Sequence, residues 1–390
     1  RGGGFRFFAL VVFLGVPAAA GVTADGSLKT LYSYTRSPIS KRLHWGDMTR
    51  ARLSLKAETP EPDRGWALRA EADYDHEIRV GTRLNSPEHR QFGAGEPERY
   101  FTMDQHVSSG TDGEWRHLLY RGWVEAEAAG WKARFGRQRV AWGTGKIWNP
   151  VDVLNPYQPT TLEREERLGL EALSLRRGIG EVGQAEAVWA FEESWAKSDL
   201  LGRVRGNPGG ADLALLGGKL AGSTGSWLAG GELAWDLRGG TLHSEVSYTD
   251  LELRTPFWRG LVGYEYGFTA DPPLSVLEDF WFNVEWFHNG RGRDNPARYD
   301  VGLLRGGREV ALGRDYGGVA MKKELHPLLY IELSWLRNLR DASHFLSPSV
   351  NWNAVGDLHV FAGWQRFGGR PVTEFGRQPD AFYSGAQLFF

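Results

Sequence analysis

Two neighbouring stretches show the chain's organising pattern most clearly. In Arg50 to Glu58, Ala51, Leu53, Leu55 and Ala57 alternate with Arg50, Arg52, Ser54, Lys56 and Glu58. In Trp66 to Asp75, Trp66, Leu68, Ala70, Ala72 and Tyr74 alternate with Arg69, Glu71, Asp73 and Asp75. One face of each strand is apolar and the other almost wholly charged, over about 9–11 residues, the length of a transmembrane β-strand. A soluble sheet with one solvated face gives the same alternation, so these two stretches alone leave both readings open. The alternation then recurs to the end of the chain. Trp227, Ala229, Gly231, Leu233 and Trp235 share one parity, as do Trp258, Val262, Tyr264 and Phe268, then Phe280, Phe282, Val284 and Trp286, then Leu329, Ile331, Leu333 and Trp335, then Leu358, Val360, Ala362 and Trp364. Trp and Tyr fall near strand ends, where an interfacial girdle belongs. An all-strand chain must avoid open edges, and a closed barrel does so. The predicted fold is an all-β, antiparallel up-and-down transmembrane barrel.

Counting alternating segments gives about seventeen strands, and bacterial barrels have even numbers, so the expectation is about sixteen or eighteen. The missing or surplus strand lies between Trp189 and Tyr248. One hairpin is readable residue by residue. A two-residue turn at Ala129-Gly130 sets Glu127 opposite Lys132, Glu125 opposite Arg134, Val124 by Phe135 and Ala126 by Ala133, so opposite charges meet on one face and apolar groups on the other. Continued parity would turn Arg137 and Arg139 to lipid at ~2–4 kcal/mol each. The sequence therefore predicts a bulge at Gly136 that turns both inward.

Beyond Gly136 the periodicity stops. Two Asn-Pro steps, Asn149-Pro150 and Asn155-Pro156, and Pro159 exclude a helix or an interior strand, and Thr160 with Glu163 forms a capping-box pattern for a short charged turn. An unpatterned run of roughly 25 residues is a functional loop or a disordered one; Trp142, Trp148, Ile147, Val151 and Leu154 favour a folded loop. It is the third long loop on the outer side, and 143–168 is predicted to fold into the lumen as its constriction. The connection 76–114 is predicted as a second long outer loop, with further loops at 195–210 and 288–313.

The amino end has a basic start (Arg1 to Arg6), an apolar run (Phe7 to Val16) and Pro17-Ala-Ala-Ala20, the layout of a secretory signal peptide. Residues 1–20 are assigned to it and 21–390 to one barrel domain. The chain contains no Cys, which excludes covalent c-type haem and thiolate metal sites within it. Its net charge of -2 gives no electrostatic case for nucleic acid. Ten His are scattered without ligand spacing, and no G-x-S-x-G elbow is present. No cofactor, no metal site and no enzymatic activity are predicted.

The final residues, Tyr383-Ser-Gly385-Ala-Gln-Leu388-Phe-Phe390, resemble the carboxy-terminal signal of Gram-negative outer-membrane barrels, with Tyr383, Gly385, Leu388 and Phe390 at the positions their assembly machinery reads. Gly136-Arg-Gln, Trp142-Gly and Asn149-Pro-Val-Asp-Val-Leu-Asn-Pro156 are similar to a segment of poorly characterised porin-like families, including the alginate-export-like barrels. That match spans roughly positions 130 to 175 and implies an outer-membrane porin whose third loop narrows the lumen.

The candidate lumen and constriction residues are Arg50, Arg52, Lys56, Glu125, Glu127, Lys132, Arg134, Arg137, Arg139, Lys146, Asp152, Glu163 and Arg164. Charges at a narrow pore set selectivity; the plain alternative is that they balance one another and solvate a polar wall. Three functions fit: a channel for small polar solutes or ions, a scaffold sheathing a partner such as a multihaem cytochrome, and a polymer-export channel, against which the mixed signs count. The partners implied are outer-membrane lipid, the barrel-assembly machinery and either a homotrimer or a cytochrome, with no nucleic acid.

Overall fold

A computed structural model describes residues 21–59, 65–92, 100–101, 103–156, 158–163, 167–222, 225–252, 254–268, 275–305 and 309–390. The signal-peptide assignment (1–20) and Arg164 lie outside them. Among the described residues, nineteen strands, from Gly21–Arg36 to Asp380–Phe389, form one antiparallel sheet. The first and last strands pair from Ser27↔Phe389 to Arg36↔Asp380, so the sheet closes on itself. Trp66–Val80 pairs directly with Gly113–Ala128. The short strand Asp104–Ser109 pairs only with the outer part of the latter, which leaves an eighteen-strand closed barrel. The strand missing from the sequence count is Asp199–Gly206, inside the segment read as a loop at 195–210. Its Gly202 and two arginines weaken the alternation, and pairing with Gly183–Ala190 and Ala211–Lys219 holds it in the wall.

The alternation sorts residues as charge and hydropathy demand. Leu53, Trp66, Trp131, Phe135, Trp189, Trp227, Trp235, Trp258, Val262, Val284 and Trp286 are exposed on the outer face. Asp75, Glu77, Glu125, Ser174, Glu232, Glu245 and Glu285 are buried on the inner one. Turns on one side are tight: Ala129 and Gly130, at φ 50° and 79°, close the predicted hairpin in its predicted register, as a primed turn requires. The longer connections lie on the other, outer side. The second loop starts at Gly81 rather than 76, because Trp66–Val80 continues in register with Leu43–Glu58 up to Asp47↔Val80.

The predicted bulge at Gly136 does not exist. Pairing runs through it without a shift, Trp123↔Gly136 on one side and Gly136↔Ala172 on the other. The glycine is needed because a Cβ there would stand 2.2 Å from the Gly122 carbonyl oxygen. Arg137 keeps the outer parity of Phe135. It is neutralised in place by cross-strand Glu171 at 2.5 Å and donates to the carbonyls of Leu119 and Phe101. Stacking of Phe135 on Phe191, with Phe101 beside it, belongs to the same patch. At 1% exposure Arg137 lines no pore, a correction to its sequence assignment. The bulge lies one strand earlier: the register shifts between Asp73↔Arg121 and Tyr74↔Leu119, leaving Tyr120 as the extra residue. The barrel's main apolar clusters form where the third loop, 139–169, packs inside the wall.

Candidate functional site

The first half of the third loop is anchored along the inner wall. Val140, Trp142 and Val151 pack with Ala172, Val188, Leu201, Leu216 and Leu228. Ile147 and Trp148 pack with Leu261, Phe287, Tyr316 and Leu336, with Trp148 stacked on Phe287 at 5.5 Å between ring centroids. Two wall carboxylates complete the anchor. Glu245 accepts from the backbone N–H of Thr144 (2.6 Å), Gly145 (2.7 Å) and Val151 (3.3 Å). Glu285 accepts from those of Lys146 (2.6 Å), Ile147 (3.1 Å) and Trp148 (3.1 Å). An unpatterned loop has no ladder to satisfy its amides once buried; here two wall side chains supply the acceptors. Gly145 makes the turn fit, since a Cβ would lie 2.0 Å from the Trp148 carbonyl oxygen. Gly318 leaves room in the wall for Trp148, whose ring a Cβ there would meet at 2.7 Å.

The second half crosses to the opposite wall through polar groups. Gln158 donates to the Leu304 carbonyl, and Gln365 to that of Thr160. Glu163 reaches Lys29 (2.9 Å) and Arg50 (3.2 Å) on the first two strands. Arg167 returns to Asp152 (2.9 Å) and to the Asn155 carbonyl, and Arg121 donates to the Arg167 carbonyl at 2.5 Å. Asp152 is buried, and burial pushes its carboxyl up to about 6 against the opposing pull of Arg167. A cavity of about 820 Å³ opens between this half, the second loop and the first strands. Arg50, Asp75, Glu77, Arg116, Tyr120, Glu163 and Arg167 are on its walls.

The other predicted residues separate by position. Arg50 pairs with Glu77 at 2.8 Å and Arg52 with Asp75 at 2.6 Å, both close to the loop. Glu125 gathers Arg134 (2.7 Å), Arg176 (3.1 Å) and Arg69 (3.5 Å), while Glu127 takes Lys132 and Arg69. That cluster lies toward the Ala129-Gly130 turn, away from the loop. Lys56 pairs with Asp25 in an exposed bridge at the same end. Lys146 reaches Glu265 at 3.1 Å, and Arg139 is exposed. Sequence reasoning missed Glu245 and Glu285, though both alternate with outward residues on their strands; nothing in sequence showed that loop amides would meet them. It also missed Tyr120, whose ring lies under the guanidinium groups of Arg52 (3.8 Å) and Arg121 (4.3 Å), because the bulge that aims it inward has no signature. Tyr383 and Gly385 lie on the seam with the first strand, and Phe390 exchanges backbone hydrogen bonds with Gly26.

This architecture is also that of solved outer-membrane proteins. OccAB1 of Acinetobacter baumannii aligns over 95% of this chain and 96% of its own at 10% identity and a TM-score of 0.57. OccK7 (OpdD) of Pseudomonas aeruginosa aligns over 96% and 99% at 9% and 0.56. OccD3 (OpdP) of Pseudomonas aeruginosa aligns over 96% and 94% at 10% and 0.54. The chain has the porin fold. At such identities the likeness concerns the fold. Residues 42–202 match the profile of a family described as a protein of unknown function, DUF1302. That stretch contains the whole third loop and the strand bearing Arg50, while Lys29 and Gln365, which also meet the loop's charged half, lie outside it. No curated protein matches the sequence.

Proposed function

We propose that the barrel is a channel for small polar solutes or ions, restricted by the third loop. One observation carries the reading: the loop's charged half faces the charged wall of the first strands across a cavity of about 820 Å³, within the size range of small-molecule sites. The loop's apolar half is committed to the opposite wall and offers a solute nothing. Passage past Glu163, Arg50 and Arg116 exposes a solute to both signs of charge at short range, where fixed charges select strongly. A sheath around a partner protein would need the lumen that the loop crosses.

The test is single-channel conductance of the refolded barrel in a planar bilayer, at two salt concentrations, with a reversal potential. Steady openings without any partner are expected. Replacing 153–166 by a short Gly-Ser link should enlarge the conductance several-fold. An unchanged value would remove the loop from the constriction, and a folded barrel that never conducts would sink the channel reading.

A further inference from the structure

Among the described residues, one cation on the cavity beside the third loop has no carboxylate partner. Five arginines line it. Arg50 and Arg116 share Glu77, at 2.8 and 3.0 Å; Arg79 also reaches Glu77, at 2.7 Å, and Arg167 holds Asp152 at 2.9 Å. Arg83 has no carboxylate within 4 Å among the described residues, and its guanidinium makes a single hydrogen bond, to the Ser33 hydroxyl at 3.0 Å. The like-charged Arg79 acts on it unfavourably. An enclosed charge is retained where something pairs with it, and here the free side of the guanidinium faces the cavity.

The group is also held in place. Arg83 sits in a short 3-10 turn, Thr82–Asn85, directly after Gly81. Gly81 has φ 120°, and a Cβ there would stand 2.3 Å from the Trp45 carbonyl oxygen, so the turn lies tight on the second strand. The stem of Arg83 packs into the space left by Gly46, whose added Cβ would meet Arg83 Cβ at 3.2 Å. The helix that follows is tied to the first loop by Glu88, which accepts from the Ser37 hydroxyl at 2.5 Å and the Ile39 N–H. His89 lines the cavity on the same segment. Burial, with Arg83 and Arg79 nearby, pushes its imidazole down, so near neutrality it is an uncharged hydrogen-bonding group beside the cation.

We propose that this corner of the vestibule is an oxyanion-binding subsite, in which Arg83, with Arg79 and His89 beside it, takes the carboxylate or phosphoryl group of a small solute entering from outside. A guanidinium presents the paired donors that either group accepts. Leu31, Met48 and Leu84 on the same cavity wall are available to an apolar or short-chain body. The proposal deepens the channel reading, and it is tested by a measurement that does not depend on conduction.

The experiment is titration calorimetry of the full barrel in detergent, with succinate and, separately, inorganic phosphate. Binding of at least one anion is expected, at least tenfold weaker in Arg83→Gln, partly recovered in Arg83→Lys, and unchanged in Lys197→Gln, an exposed pair on another loop. Circular dichroism would establish that each variant is folded. Succinate alone assigns the subsite to carboxylates, phosphate alone to phosphoryl groups, and both to oxyanions in general. Binding of neither anion, or equal binding by wild type and Arg83→Gln, overturns the proposal even if the barrel conducts. Binding by a barrel that does not conduct leaves the subsite standing and removes the channel.

Discussion

The two halves of the third loop have similar lengths and lie in the same lumen, yet they are held by different physics. Residues 140–151 are fixed by apolar burial and by backbone amides donated to Glu245 and Glu285. Residues 152–167 are fixed by side-chain ion pairs and scattered carbonyl bonds, with Glu163 retaining 17% of its side-chain exposure and Arg50 11%. The first half is therefore a foundation whose loss is felt as stability. The second half borders the cavity, and its changes should be felt as selectivity.

The largest effect should come from removing a foundation carboxylate. Glu285→Ala leaves the N–H groups of Lys146, Ile147 and Trp148 without their acceptor, at a cost on the order of 3 kcal/mol. Urea unfolding should show the loss, and bilayer recordings should show unsteady, enlarged currents. A stable variant with wild-type currents would contradict the anchoring role. Next is Gly318→Val, which drives a branched side chain into Trp148 and Ile147. Overpacking of this kind costs about 1–3 kcal/mol, and the same two readouts apply, with a smaller change in each.

On the charged side, Glu163→Gln should lower stability by less than about 1 kcal/mol, since its pairs are partly hydrated. It releases Lys29 and Arg50 from their shared carboxylate. The reversal potential should therefore move toward anion preference, and a shift toward cations would exclude this gap as the selecting region. A separate prediction concerns pH dependence. Burial raises the Asp152 carboxyl to about 6, above its unfolded value near 3.8. The folded state thus binds the proton more tightly, so this group's contribution falls as pH rises from about 4 to about 6. Comparing urea midpoints across that window, the decline should be reduced in Asp152→Asn; identical slopes would remove Asp152 as its source.

Period-two alternation was enough to read the barrel, its lipid-facing aromatics and the Ala129-Gly130 hairpin, because each depends on local parity and on a turn two residues long. The same logic failed at Asp199–Gly206, where alternation is weak and only pairing with neighbours makes a strand. It also failed at Gly136, where parity called for a phase change and the fold instead supplied Glu171 as a counter-ion. Of the candidate site, the loop and Arg50, Arg52, Asp152 and Glu163 were legible as charges on the right faces. Their grouping was not, because a lumen brings together residues far apart in sequence, as Gln365 with Thr160.

The sequence by itself determined that the chain closes into a barrel, which side of each strand meets lipid, and that one Pro- and Trp-containing loop breaks the pattern. Those are consequences of side-chain period and backbone chemistry, which act over a few residues. Only the tertiary structure decided which wall the loop binds, that Glu245 and Glu285 hold its amides, that Tyr120 is aimed inward by a bulge, and that Arg83 faces a cavity with no counter-ion among the described residues. Each of those depends on the register around a closed sheet. Closure fixes which distant groups share the small, poorly solvated interior, where an unmet charge or amide is costly.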